Sequence, residues 1–136
     1  MFAEFEHMIH EMDAKGEAIT ADKLTTVYYE LNKKYFGDAM TVDEEIGLEW
    51  ARIPHFYYNY YVYQYATGQS AATALSKQIL EEGQPAVDRY INNFLKAGCS
   101  DFPIEVLRAA GVDMESPEPI ALACQVFEEK LVELEK

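Results

Sequence analysis

The stretch Thr20-Ala21-Asp22-Lys23-Leu24-Thr25-Thr26-Val27-Tyr28-Tyr29-Glu30-Leu31-Asn32-Lys33-Lys34-Tyr35-Phe36-Gly37 holds the start, stripe and stop of one helix. Thr20 can accept a hydrogen bond from an otherwise unpaired N–H of the first turn. Leu24, Val27, Tyr28, Leu31 and Tyr35 then recur at steps of three and four, which stacks them on one face. Gly37 supplies the stop. The same grammar repeats on either side. Upstream, Phe2, Phe5, Met8, Ile9 and Met12 form a stripe with Glu4, Glu6, Glu11 and Asp13 off it, closing at Lys15-Gly16. No capping residue precedes Phe2, as if a helix or strand had been cut upstream.

Downstream, Asp38 to Gly47 reads as an acidic, turn-rich, partly irregular connector. A third helix is expected from Pro54 to Thr67-Gly68, and a fourth, alanine-rich, from Ser70 to Glu81 before Gly83. Pro85 opens a fifth with Val87, Tyr90, Ile91, Phe94 and Leu95 inward, closed at Gly98. Pro103 and Gly111 bracket a short sixth. Ser116 and Pro117 read as N-cap and first residue of a last helix, Ala121 to Lys136, with Val126, Phe127, Leu131 and Leu134 packing. The expectation is an all-α fold, a single helical domain of about six to seven helices over 1–136, with no repeat and no linker long enough to divide it.

A chain of 136 residues that is 49% hydrophobic can bury a core without staples. Its formal net charge of -13 repels phosphate, so neither nucleic acid nor an anionic membrane surface is an expected partner. No apolar run reaches the ~20 residues of a spanning helix, and the start lacks a basic signal-peptide region, so a cytoplasmic setting is expected. Cys99 and Cys124 are too sparse for a disulfide framework and are expected as buried reduced thiols.

Three histidines are available for metal or acid–base work. In the first helix Glu4, His7 and His10 fall three apart and Glu11 follows. A zincin motif needs His-Glu-x-x-His, with both imidazoles on one face and the glutamate as base, and that order does not occur. A di-iron bundle needs Glu-x-x-His twice, and it occurs once. No metal ligands are therefore assigned to this chain, and His7 and His10 are read as surface or partly buried structural residues.

The second candidate region is Ile53-Pro54-His55-Phe56-Tyr57-Tyr58-Asn59-Tyr60-Tyr61-Val62-Tyr63-Gln64-Tyr65, where six of the ten tyrosines fall in nine positions. A buried phenol must find a partner or lose roughly 1–3 kcal/mol, so cores favour Leu and Ile instead. On a helix, Tyr60 and Tyr63 share a face, as do Phe56 and Tyr60, with His55 at the entry. Such a wall suits hydrogen bonding to a carbonyl or its tetrahedral oxyanion. A buried aromatic helix with satisfied hydroxyls is the other reading.

The segment Trp50 to Gly68 (WARIPHFYYNYYVYQYATG) closely resembles the carboxy-terminal part of oligoendopeptidase F-type zinc metallopeptidases, in the thimet oligopeptidase-like family. Met1-Phe2-Ala3-Glu4-Phe5-Glu6-His7 is similar to the family's stretch downstream of the zinc site. Gly98 to Leu107 with Ala110-Gly111-Val112-Asp113 is similar to its closing segment. The resemblance implies part of a helical peptidase that cleaves oligopeptides in a deep channel, with zinc held by a His-Glu-x-x-His motif and a later glutamate, the zinc motif lying before Met1. It further implies that His55 and Tyr63, with Tyr60 third, line the channel and hold the substrate carbonyl and its tetrahedral intermediate. Some members carry a glycine-rich loop between the histidine and the tyrosines, whereas no glycine lies between His55 and Gly68 here.

The leading expectation is thus a fragment of the catalytic domain whose partners are an oligopeptide substrate and the amino-terminal part of the same enzyme, inactive alone. A stand-alone helical peptide-binding or adaptor module is the alternative. A metalloenzyme built on Glu4, His7 and His10 is the weakest. Exposure of the stripe Phe2, Phe5, Ile9 and Met12, or of part of the tyrosine wall, leads to an expected two-fold homodimer.

Overall fold

A computed structural model describes residues 1–135. Among them there is no strand, and the six α-helices are α1 (Phe2–Ala14), α2 (Ala21–Phe36), α3 (Tyr63–Glu82), α4 (Gln84–Tyr90), α5 (Pro103–Ala109) and α6 (Glu118–Leu134). The all-α expectation holds. The chain forms two compact units, Met1–Gln64 and Tyr65–Lys136.

In the first unit α2 is built as its sequence dictates. Thr20 Oγ1 accepts from the Lys23 N–H at 3.3 Å, and Gly37, at φ +62°, ends the helix. Its stripe meets α1 in a core of Phe5, Tyr28, Leu31, Phe56 and Val62. The Phe5 ring sits edge-on to Tyr28 and Phe56, with centroids 5.0 and 4.9 Å away, the arrangement an aromatic quadrupole favours. Asp38 to Gly47, expected as irregular, is partly wound into 3₁₀ turns at Gly37–Ala39 and Glu44–Arg52. The second of these packs on α2 through Gly47, where an added Cβ would stand 3.0 Å from Thr25 Cγ2 and 3.1 Å from its carbonyl oxygen.

The expected helix from Pro54 to Gly68 does not form. Pro54–Tyr57 is a 3₁₀ turn, 58–62 is irregular with Tyr60 at φ +46°, and α3 begins at Tyr63 and passes through Gly68 to Glu82, absorbing the expected fourth helix. A continuous helix would direct the N–H groups of Val62 and Tyr63 at the carbonyls four residues back. Here the Glu6 carboxylate accepts both, at 2.7 and 3.0 Å. Glu6 itself, expected off the apolar stripe, is fully buried.

The second unit packs α3 against the 110–112 turn, with Ala71, Ala74, Leu75, Ala110 and Val112 as core and Tyr90, Phe94, Leu107 and Leu122 around it. Arg89 ties three pieces together, donating to the Ala110 carbonyl (3.1 Å), Gln78 Oε1 (3.0 Å) and the Glu82 carboxylate (3.0 Å). The expected fifth helix widens after α4 into a π turn over Ile91–Leu95, which rotates side chains off the α stripe, and Ile91 and Leu95 are exposed rather than inward. Ser116 Oγ accepts from the Glu118 N–H at 3.2 Å, so α6 starts earlier than Ala121; the expected terminus at Lys136 lies outside the described residues. Leu122 and Pro119 carry the packing of α6, while Phe127, Leu131 and Leu134 are exposed against expectation. Cys99, in the turn that follows the π segment, and Cys124, on α6, are both exposed, not buried. Among the described residues no helix is long and apolar enough to cross a membrane.

Candidate functional site

The tyrosine turn is held from α1. His10 donates its Nδ1–H to the Glu6 carbonyl oxygen at 2.8 Å, since a carbonyl can only accept. Its ring stacks on Tyr60, with centroids 4.0 Å apart and planes 29° apart. The Tyr60 hydroxyl pairs with His7 Nδ1 at 3.4 Å. Tyr60 is therefore bound to the α1 histidines, while Phe56, expected on its face, is buried in the core. Tyr60 and Tyr63 do not share a helical face, because only Tyr63 is helical.

His55 is half-buried in the 3₁₀ turn and lies against Tyr61, centroids 5.3 Å apart, which in turn meets Tyr58 edge-on at 5.8 Å. His55 thus pairs with a tyrosine that spacing did not select. Within this chain Tyr57, Tyr58, Tyr60, Tyr61, Tyr63 and Tyr65 are all exposed, and residues 58–62 are not helical.

Sequence reasoning missed Glu6. Its signal is position: Phe2 lies four residues before it and Ile9 three after, with Phe5 adjacent, and a carboxylate on that packed face must find donors.

Among the described residues no group of three or more His, Cys, Asp or Glu side chains converges to hold a metal ion. The set Glu4, His7 and His10 is dispersed by its partners. Glu4 accepts from Lys34 Nζ at 2.7 Å and from the Tyr35 hydroxyl at 2.8 Å, which hold its carboxyl below the usual range. His7 Nε2 stands 3.7 Å from Glu11 at the exposed surface.

The pattern of peptidase family M3 matches residues 1–126. The chain belongs to that family. This family M3 chain is 71% identical over 136 residues to oligopeptidase PepF of Bacillus subtilis (strain 168), covering all of itself and 20% of that protein. It is 50% identical over 135 residues to the plasmid oligoendopeptidase F of Lactococcus lactis subsp. cremoris, covering 99% of itself and 22% of the relative. The crystal structure of oligoendopeptidase-F from Enterococcus faecium superposes with a TM-score of 0.92 at 53% identity, over 98% of this chain and 26% of that one. The chain therefore spans between a fifth and about a quarter of the length of these relatives.

Proposed function

We propose that this chain is part of a zinc-dependent endopeptidase that hydrolyses oligopeptides, and that it supplies His55, Tyr60 and Tyr63 to bind the substrate carbonyl and stabilise its tetrahedral oxyanion. The observation that carries this reading is the exposure of the phenols: Tyr63 is 48% and Tyr60 38% accessible, while the core is made by Phe5, Tyr28 and Phe56. Family membership and the names of the relatives, oligopeptidase and oligoendopeptidase, support peptide hydrolysis.

Attack of water on a peptide carbonyl gathers negative charge on its oxygen. A phenol O–H or imidazole N–H aimed at that oxygen donates more strongly as the charge develops, and one such donor is worth roughly 2.7–4 kcal/mol. Tyr60 and the backbone at Tyr63 are held from α1, so little reorganisation of these two donors accompanies the reaction. The described residues do not fit a zinc site. The metal and the general base are accordingly assigned to the amino-terminal part of the enzyme, and a cytoplasmic location remains part of the proposal.

The test is made in the intact enzyme. Tyr63→Phe keeps the ring and removes one donor, and should lower kcat by roughly 10²–10³ with little change in KM. His55→Ala should lower kcat/KM, since its ring N–H is lost. Zinc content should stay unchanged in both. Wild-type turnover in Tyr63→Phe at normal zinc content overturns the oxyanion role and leaves the run as a binding surface.

A further inference from the structure

Glu6 is fully buried, yet among the described residues it belongs to no ion pair that would account for a charge in the core. Its two carboxylate oxygens are divided between two backbone donors, Oε1 on the Val62 N–H at 2.7 Å and Oε2 on the Tyr63 N–H at 3.0 Å. Those N–H groups open α3, where a helix has donors without intrahelical partners and where negative charge is favoured by the aligned peptide dipoles. One turn of α1 then grips the same segment twice more, through the His10 ring stacked on Tyr60 and through His7 Nδ1 on the Tyr60 hydroxyl.

The grip has something to hold. Tyr60 stands at φ +46°, in the left-handed region that an L side chain rarely adopts, and such a residue persists only where its surroundings fix it. The aromatic core of Phe5, Tyr28 and Phe56 packs without the carboxylate. A carboxylate in place of another apolar residue therefore adds direction rather than packing.

We infer that Glu6 is a positioning residue for the tyrosine turn: its buried carboxylate fixes the backbone from which Tyr60 and Tyr63 are presented to the substrate. The inference rests on the reading of Tyr63 as the oxyanion donor. Glu6 acts through the geometry of that donor and does not touch the reacting atoms.

A double-mutant cycle in the intact enzyme tests it. Glu6→Gln keeps the shape but turns an N–H donor toward an N–H donor, freeing one of the two α3 groups. It should lower kcat about tenfold or more with KM for a peptide substrate held within about threefold. In the Tyr63→Phe background the same change should cost at least about threefold less than in the wild type, because one of the two donors it positions is already gone. Multiplying effects, or an unchanged kcat in Glu6→Gln, overturns the inference while leaving the role of Tyr63 intact. An unchanged kcat in Tyr63→Phe instead fails the underlying reading, and the inference falls with it. Should Glu6→Gln yield no soluble enzyme, Glu6→Asp withdraws the carboxylate by one methylene and carries the same expectations.

Discussion

Tyr28 and Tyr63 show how the same side chain serves opposite ends. The Tyr28 ring is fully buried among Phe5, Phe56 and Phe2, and its hydroxyl donates to Glu49 Oε2 at 2.7 Å. Burial first, and then the hydrogen bond to Glu49, push its pKa well above the ordinary phenol value. Folding thus favours the protonated phenol. The associated stabilisation is complete below the unfolded value of about 10 and is lost as pH rises from there toward the folded one. Tyr28→Phe should lower stability at neutral pH by about 1–2 kcal/mol and flatten the fall in stability above about pH 10. Denaturant unfolding of both proteins across that range checks it; an unchanged alkaline slope contradicts the assignment. Tyr63, by contrast, is nearly half exposed.

At the scale of elements, α3 is the informative case. It runs through Gly68, where an added Cβ meets nothing within 4 Å. Gly68→Ala should therefore stabilise the chain by about 0.5–1 kcal/mol, read as a raised thermal midpoint; a lowered midpoint would mean that the open space is needed. Gly68 is also where the sequence misleads. Glycine there and Pro54 upstream bracket a helix by local rules, but the N–H groups where α3 begins are bound by Glu6, far away in sequence. Local signals sufficed for α2, since Thr20, its stripe and Gly37 all lie within the helix they define. They located α5 from Pro103 and, through Ser116, the neighbourhood of the α6 start. They failed for the π turn at Ile91–Leu95, which no residue type announces, and for the exposed face of α6, whose Phe127, Leu131 and Leu134 look like core residues in any periodic reading. The candidate site was half legible. His55, Tyr60 and Tyr63 fall on one short segment in sequence, yet the pairing of Tyr60 with His7 and His10 needs a chain reversal that spacing does not reveal.

At the scale of the whole molecule, the chain carries donors but no converging metal ligands among its described residues. The 136 residues expressed alone should bind no stoichiometric zinc and should not turn over peptides, because a catalytic zinc takes three protein ligands and an open position. Elemental analysis finding about one zinc per chain contradicts this. The apolar side chains exposed on α6 should draw the isolated chain into self-association, and a strict monomer in sedimentation at high concentration would count against that.

The central claim is that the tyrosine turn recognises the tetrahedral state of the substrate rather than the planar peptide. A phosphinic peptide, whose tetrahedral anion stands in for that state, and the matching uncleaved peptide separate the two. In the intact enzyme, Tyr63→Phe should weaken inhibition by the phosphinic peptide by roughly 10²-fold and change the affinity for the planar peptide by less than about threefold. Equal changes for both ligands, or none for either, would contradict the claim.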